Sequence, residues 1–376
     1  MGEALADIAP EIDHVFQGEA ESAFLAFLED RAADEPINRV LPGLVNESLD
    51  DIPAPDYSDF FLQWTALVDE ATTANGIKRS EIRLPYESSR GCWWGAKHHC
   101  TFCGLNANGM NHRTKSADKV EREIVAMSQA YDVNRILMVD NIMPHSYVST
   151  LLPNLAAAEQ KLEIFYEQKA NLGRRRMLLL RDAGVTSIQP GIEALSTPLL
   201  KRMNKGTSLR VNLDCLRHAR ASGVSLAWNL LSDFPGDDQQ NYEDMIEIIP
   251  LLHHLEPPGG LGGLSIDRFS PYHMTPEKYG ISRIRPLPAY AEVFPNSTDP
   301  RLAYHFEGDY NSALRLSLDL KTRMETVIQD WLDAWQEGPP ILFVFDLDDN
   351  RHLLVDTQRD SQMSQASSAL RTLIYC

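Results

Sequence analysis

The stretch "SRGCWWGAKHHCTFCGLN", residues 89–106, gathers Cys92, Cys100 and Cys103 in a chain with five cysteines in all. Seven residues separate the first pair and two separate the second. A Cys-x-x-Cys step turns two thiolates into one concavity, a geometry that zinc sites and iron–sulfur sites share. Three such ligands are one short of a closed tetrahedral site. His98 or His99 would complete a Cys3His zinc site, but structural zinc sites usually bring their ligands as two spaced pairs. Crowding His, Cys and Cys into so short a run works against tetrahedral closure. Thiol redox chemistry is a third reading of "CTFC", yet it leaves Cys92 idle and needs the motif to open a helix. The residues themselves favour an iron–sulfur site and leave zinc open.

Composition narrows the partners. The 376 residues suit one large domain with appendages, and 43% hydrophobic residues allow a sizeable core. Thirty-five Lys and Arg against 53 Asp and Glu give a net charge of −18. Such a surface repels phosphate, so neither nucleic acid nor an anionic membrane is an expected partner. No apolar run reaches the length of a membrane span, and "MGEALADIAPEIDHVFQGE" lacks the pattern of a signal peptide. Three clustered cysteines with Cys215 and Cys376 isolated do not make a disulfide framework. The expected compartment is the reducing cytoplasm, where clustered thiolates more often bind metal. The two isolated thiols are expected to have no function.

Outward from the cysteines, strand and helix patterns alternate. The expected strands are "RLPYESSRG" (83–91), "RILMVDN" (135–141), "LEIFYEQ" (162–168), "VTSIQPGIE" (185–193), "VSLAWNLL" (224–231) and "LSIDRFS" (264–270). Between them lie helical stretches such as "SADKVEREIVAMSQAY", with a Ser116 cap and apolar Val120, Ile124 and Met127. Gly184 and Gly223 read as helix terminators. Six such units imply an α/β fold with a parallel sheet and right-handed crossovers. Ligands of these sheets bind at the carboxyl ends of the strands. The cysteine loop, Asp140–Asn141 and "GIE" at 191–193 all fall on that face.

The flanks are less regular. Residues 1–33 read as helix, strand, helix, with apolar Phe24, Leu25 and Leu28 in the second helix. This is too little to fold alone and looks like the tail of a larger α/β layer. The Pro- and Asp-rich run 35–60 reads as a linker, and "GGLGG" at 259–263 as a flexible connection. A helix through "NSALRLSLDLKTRMETVIQDWLDAW", a hairpin turning at "DDNR" and a final helix through "QASSALRTLIY" close the chain.

With these motifs placed, the sequence resembles the radical S-adenosylmethionine (radical SAM) superfamily. Within it the resemblance is to the ribosomal peptide maturation radical SAM protein 1 group, whose wider kin bind cobalamin. It rests on "SRGCWWGAKHHCTFCGLN", Lys115–Ser116, "MVDN", "FYEQKANL", "IQPGIEALS", "MNKGT", "WNLL" with "FPGD", and "DRFSPY", in order through residues 83–275. The superfamily usually spaces its cysteines three and two apart, so seven and two is a narrower signature.

The resemblance implies a partial (β/α)6 TIM-like radical SAM barrel over residues 83–275. It also implies a remnant of a cobalamin-binding-like domain plus linker at 1–60, and a small α+β helical and hairpin module at 276–376. Cys92, Cys100 and Cys103 would hold a 4Fe–4S cluster whose fourth iron is chelated by the amino and carboxylate groups of SAM. Reductive cleavage of SAM would give a 5′-deoxyadenosyl radical that takes hydrogen from an unactivated carbon. The implied partners are a ribosomally made precursor peptide and a flavodoxin- or ferredoxin-type electron donor.

The same resemblance gives cofactor contacts, each with a structural counter-reading. Phe102 packs near adenine or merely fills the loop, and Gly104 lets the backbone turn under the cluster. Asp140 and Asn141 face the SAM amino end or the substrate, or cap a strand end. Lys169 meets the SAM carboxylate or Glu167. Gln189 and Glu193 contact ribose or carboxylate, with helix capping as the alternative for Glu193, and Asn229 is a candidate of the same kind. Trp93 and Trp94 shield the cluster or simply fill space under the loop, His98 and His99 hydrogen-bond around it, and Arg90 and Lys97 offset its charge. Cobalamin is less well supported. "DHVFQG" is not the Asp-x-His-x-x-Gly pattern of cobalt ligation, and a whole domain of that kind needs roughly a hundred residues. The expected outcome is C-methylation if cobalamin binds. Cobalamin-independent epimerisation or crosslinking, and a non-enzymatic zinc or iron–sulfur module, are the alternatives.

Overall fold

A computed structural model describes residues 1–32, 38–71, 81–105, 110–348, 351–357 and 372–375. At its centre, five parallel strands lie side by side in chain order: Leu84–Tyr86, Arg135–Met138, Glu163–Gln168, Val185–Pro190 and Ser225–Leu226. Alternate residues such as Ile136 and Met138, or Ile164 and Tyr166, are almost fully buried, the period-two pattern of a strand packed on helices. The helix Ala117–Tyr131 covers them with Val120, Ile124 and Met127 buried at the expected spacing. Ser116 stands at its start without a side-chain cap; its N–H donates to Asp50 Oδ1 at 2.7 Å instead. Gly223 ends the helix Leu209–Ser222 in the left-handed conformation, φ 71°, as its position in the sequence predicts.

The fifth and sixth strands differ from expectation. The fifth is broken: Ser225–Leu226 pairs with the fourth strand, the chain steps out, and Leu230–Ser232 pairs in parallel with Leu261–Gly263. Trp228 accounts for the step, because its indole is buried, donates to the Glu256 carbonyl at 3.1 Å and packs edge-on against Trp331. The sixth parallel strand therefore lies inside "GGLGG", where glycines leave no side-chain alternation to read. The run 264–270 instead contributes Ile266–Asp267, antiparallel to His305–Asp309, which in turn pairs with Ser282–Pro286.

At the amino end, Gly2–Ile8, Val15–Gln17 and Glu21–Ala32 form as expected. Val15–Gln17 also gains a parallel partner, Val40–Pro42, inside the run read as a linker. The helix Glu21–Ala32 buries Ala23 and Phe27, while Phe24, Leu25 and Leu28 are 47 to 60% exposed. Edge-on packing of Phe27 on Phe16 and His14 sets that rotation. Glu19 ties this piece to the barrel by accepting from Arg113 Nη1 at 3.1 Å and Arg90 Nη1 at 3.0 Å. Burial opposes its charge, yet the two guanidiniums hold the Glu19 carboxyl down at about 2. Arg90 is thus directed at Glu19, Glu21 and Glu87, not at the cysteines.

Towards the carboxyl end, the helix Leu318–Glu337 starts at Ser317, whose Oγ accepts the Leu320 N–H at 3.2 Å, and it buries Trp331. The hairpin Leu342–Asp348 with Arg351–Asp356 forms, although residues 349–350 of its turn lie outside the described residues. Thr372–Tyr375 adds a third antiparallel strand where a helix was expected, in keeping with its β-branched and aromatic side chains. The rest of that expected helix and Cys376 lie outside the described residues. No helix among the described residues is long and apolar enough to cross a membrane.

One buried carboxylate joins the strand ends. Asp140 Oδ1 accepts the Ser88 N–H at 2.7 Å, and Oδ2 accepts the Ser89 and Tyr166 hydroxyls at 2.9 Å each and the Ser88 hydroxyl as well. These bonds fix the exit of the first strand, from which the cysteine loop departs. Asp140→Ala would leave those buried donors unmatched and is expected to cost about 3 kcal/mol of stability. Urea unfolding would check this.

Candidate functional site

The cysteine loop has little regular structure of its own and is held by neighbours on two sides. The Thr101 N–H donates to the Met203 carbonyl at 2.9 Å, and the Thr101 carbonyl accepts the Tyr272 N–H at 3.1 Å. Asn204 Nδ2 donates to the carbonyls of His98 and His99, the latter at 3.1 Å, and Trp94 Nε1 donates to the Asn204 carbonyl at 3.2 Å. "MNKGT" is therefore a clasp on the loop. Gly206 in that clasp has φ 64°, and a Cβ there would overlap the Trp94 ring. Lys169 lies against the same ring, its Nζ 3.1 Å from the centroid, and donates to the Lys205 carbonyl at 2.6 Å. Gly104 serves close approach: a Cβ there would overlap the Arg268 carbonyl oxygen.

The loop brings Cys92, Cys100, Phe102 and Cys103 to one wall of a cavity of about 230 Å³. Asn141, Lys169, Gln189 and Glu193 line it from the carboxyl ends of the second, third and fourth strands. The remaining candidates lie elsewhere. Asp140 is fully buried in its network, Gly104 is buried against residues 267–268, and Asn229 is exposed beside Gly259. A larger open groove, about 680 Å³, runs past Arg283, Arg285 and Arg315, but Arg283 and Arg285 are already paired with Asp309 and Glu307. Size does not pick the site; the thiols do.

The Gly95 N–H donates to Cys92 Sγ at 3.3 Å, the kind of bond that steadies a metal-bound thiolate. His99 Nε2 sits 2.7 Å from the Cys103 carbonyl and His98 stacks on Trp94, so both rings are engaged outside a fourth-ligand position. Among the described residues, no three His, Cys, Asp or Glu side chains are grouped to enclose a single ion. Cys92, Cys100 and Cys103 all open on the one cavity. Burial pushes Cys103 up to about 11 and raises Cys100, so binding iron means displacing protons.

Of two further lining residues, the sequence assigns no role to Lys205 and names Glu167 only as an alternative partner of Lys169. Lys205, quoted only as part of "MNKGT", reaches into the cavity and pairs with Glu193 Oε1 at 2.8 Å. Burial works against its charge, but Glu193 and Cys100 outweigh that and push the ammonium up to about 12. Glu167 lines the cavity too, and burial and the Asp140 charge push its carboxyl up to about 7. The wall thus offers thiols, two ammonium groups, and carboxyl and amide groups around one small space.

Residues 86–249 match the family model described as the radical SAM superfamily. That stretch is similar to radical SAM domains. An uncharacterized methyltransferase of Pyrococcus horikoshii is 20% identical over 261 residues, which are 65% of this chain and 54% of that protein. The hopanoid C-3 methylase of Methylococcus capsulatus is 24% identical over 247 residues, 62% of this chain and 44% of that one. The chain spans about half the length of these curated relatives. The fold is similar to the radical S-adenosylmethionine methyltransferase TsrM from Kitasatospora setae, with a TM-score of 0.57, 14% identity, and 82% of this chain and 66% of that one covered. It is also similar to the cobalamin-dependent S-adenosylmethionine radical enzyme OxsB, at 0.51 and 14%, covering 88% and 60%.

The clasp on the cysteine loop can be tested with two glycines. Gly206→Ala must displace Trp94 and is expected to lower iron content after anaerobic reconstitution to below half the wild-type value. Gly223→Ala is also left-handed but faces open space, so it should keep its iron and cost only about 1 kcal/mol of stability. Iron assay and thermal unfolding of both variants would separate the clasp from general strain.

Proposed function

We propose that this chain generates a carbon radical from SAM and directs it at a peptide, with C-methylation as the outcome in the whole protein. The observation that carries the proposal is the shared cavity. Cys92, Cys100 and Cys103 open on the same space as Lys169, Gln189 and Glu193, at the carboxyl ends of parallel strands. When bound, a 4Fe–4S cluster on the three thiolates, with SAM at its open iron, supplies the electron and the radical.

The chain's own residues bind, orient and exclude water. Lys169 and Lys205 put positive charge where the SAM carboxylate must lie, and Asn141, Gln189 and Glu193 offer partners for its amino and ribose groups. Phe102 gives an apolar edge for the adenine, and Trp94 closes the cavity wall beside the cluster. In this reading residues 83–275 are the radical-generating core, residues 1–60 belong to a preceding domain, and residues 276–376 are an accessory module. A flavodoxin- or ferredoxin-type donor in a reducing cytoplasm completes the system.

Methyl transfer is supported by the names of the relatives, and the peptide substrate by the motif resemblance. A corrinoid is different. The described residues of 1–60 supply one strand pair and three helices, and their one histidine, His14, lies 3.2 Å from the Asn38 carbonyl and packs on Phe27. These residues do not by themselves make a corrinoid site, and no step is assigned through one.

Anaerobically reconstituted protein given dithionite and SAM is expected to release 5′-deoxyadenosine and methionine, and Cys100→Ala to abolish both. Stoichiometric zinc without iron, or deoxyadenosine from the variant, would overturn the proposal.

A further inference from the structure

Lys205 is the lining residue whose chemistry the proposed reaction does not yet use in full. Its side chain is 14% exposed and its carboxylate partner Glu193 is 19% exposed, so both charges act through a poorly screened medium. Its Nζ lies 5.5 Å from the centroid of Phe102, the residue between the last two cysteines. Gly191 makes the room: a Cβ there would sit 2.5 Å from the Lys205 Nζ. Lys205 lines the same cavity as Cys100 and Cys103. Lys169 lies against the Trp94 ring and donates to the Lys205 carbonyl. Arg90 is spent on Glu19, Glu21 and Glu87.

We propose that Lys205 is a positioning residue for electron entry, holding positive charge in the cavity that Cys100 and Cys103 line so that a 4Fe–4S cluster there is reduced more easily. The inference rests on the cluster reading of the proposed function. The step is one electron from the external donor to the cluster, with no bond made or broken in the protein. With three thiolates the oxidised cluster carries one net negative charge, and reduction adds a second. In a chain of net charge −18, that added charge needs a nearby cation. Glu193 opposes the effect while keeping the ammonium in place.

The test is a redox titration of the reconstituted holoprotein, followed by electron paramagnetic resonance of the reduced cluster. Lys205→Met is expected to shift the oxidised-to-reduced ratio at fixed potential about tenfold towards oxidised, which is about 59 mV for one electron. Lys205→Arg should recover most of that shift, and Glu193→Gln should move the midpoint the other way. A cluster in Lys205→Met with the wild-type midpoint would overturn the inference. If that variant holds no cluster, Glu193→Gln decides, because it leaves the lysine, and a midpoint at or below wild type would overturn the inference. Wild-type protein that assembles no 4Fe–4S cluster would instead sink the functional proposal beneath it.

Discussion

The cysteine loop spends almost none of its backbone on helix or strand, and holding it still against chain entropy is the constraint on which the site depends. Ordering a residue costs about 1–2 kcal/mol, so a loop of this length stays in one shape only if neighbours bind it. They do so through the turn at Met203–Gly206 on one side and Arg268–Tyr272 on the other. Both contacts need a residue without a side chain. Gly206 admits the Trp94 ring, and Gly104 admits the Arg268 carbonyl. The spacing of the cysteines is therefore only half of the motif; the other half lies about a hundred residues downstream.

Beneath the clasp, Asp140 fixes where the loop begins. Its carboxylate binds donors from the first and third strands, so the ends of three strands share one anchor. Above it, charge is sorted by position. Arginines at the loop's base pair with glutamates of the amino-terminal piece, and lysines face the thiols. That sorting leaves positive charge at the cavity wall of a strongly acidic chain.

Much of this was legible in the residues. The parallel sheet showed as apolar runs punctuated by glycine, and eight of the eleven cysteine and cofactor candidates do line one cavity. The misses have physical causes. "GGLGG" hid a strand because glycines carry no alternation. Phe24, Leu25 and Leu28 misled because the aromatic contact of Phe27 outweighs the count of apolar residues on the other faces. Asp140 read as either a cofactor contact or a strand-end cap, and its carboxylate takes four hydrogen bonds within the fold, which the sequence alone does not show. Lys205 had no local signal at all, since only the folded turn carries it to Glu193 and the cysteines.

The most direct test of SAM binding at the open iron is electron–nuclear double resonance on the reduced, reconstituted protein. SAM labelled isotopically at its amino nitrogen and carboxylate oxygen would be added before reduction. Hyperfine coupling from both nuclei to the cluster is the expected result. A well-formed 4Fe–4S signal with coupling from neither would contradict it.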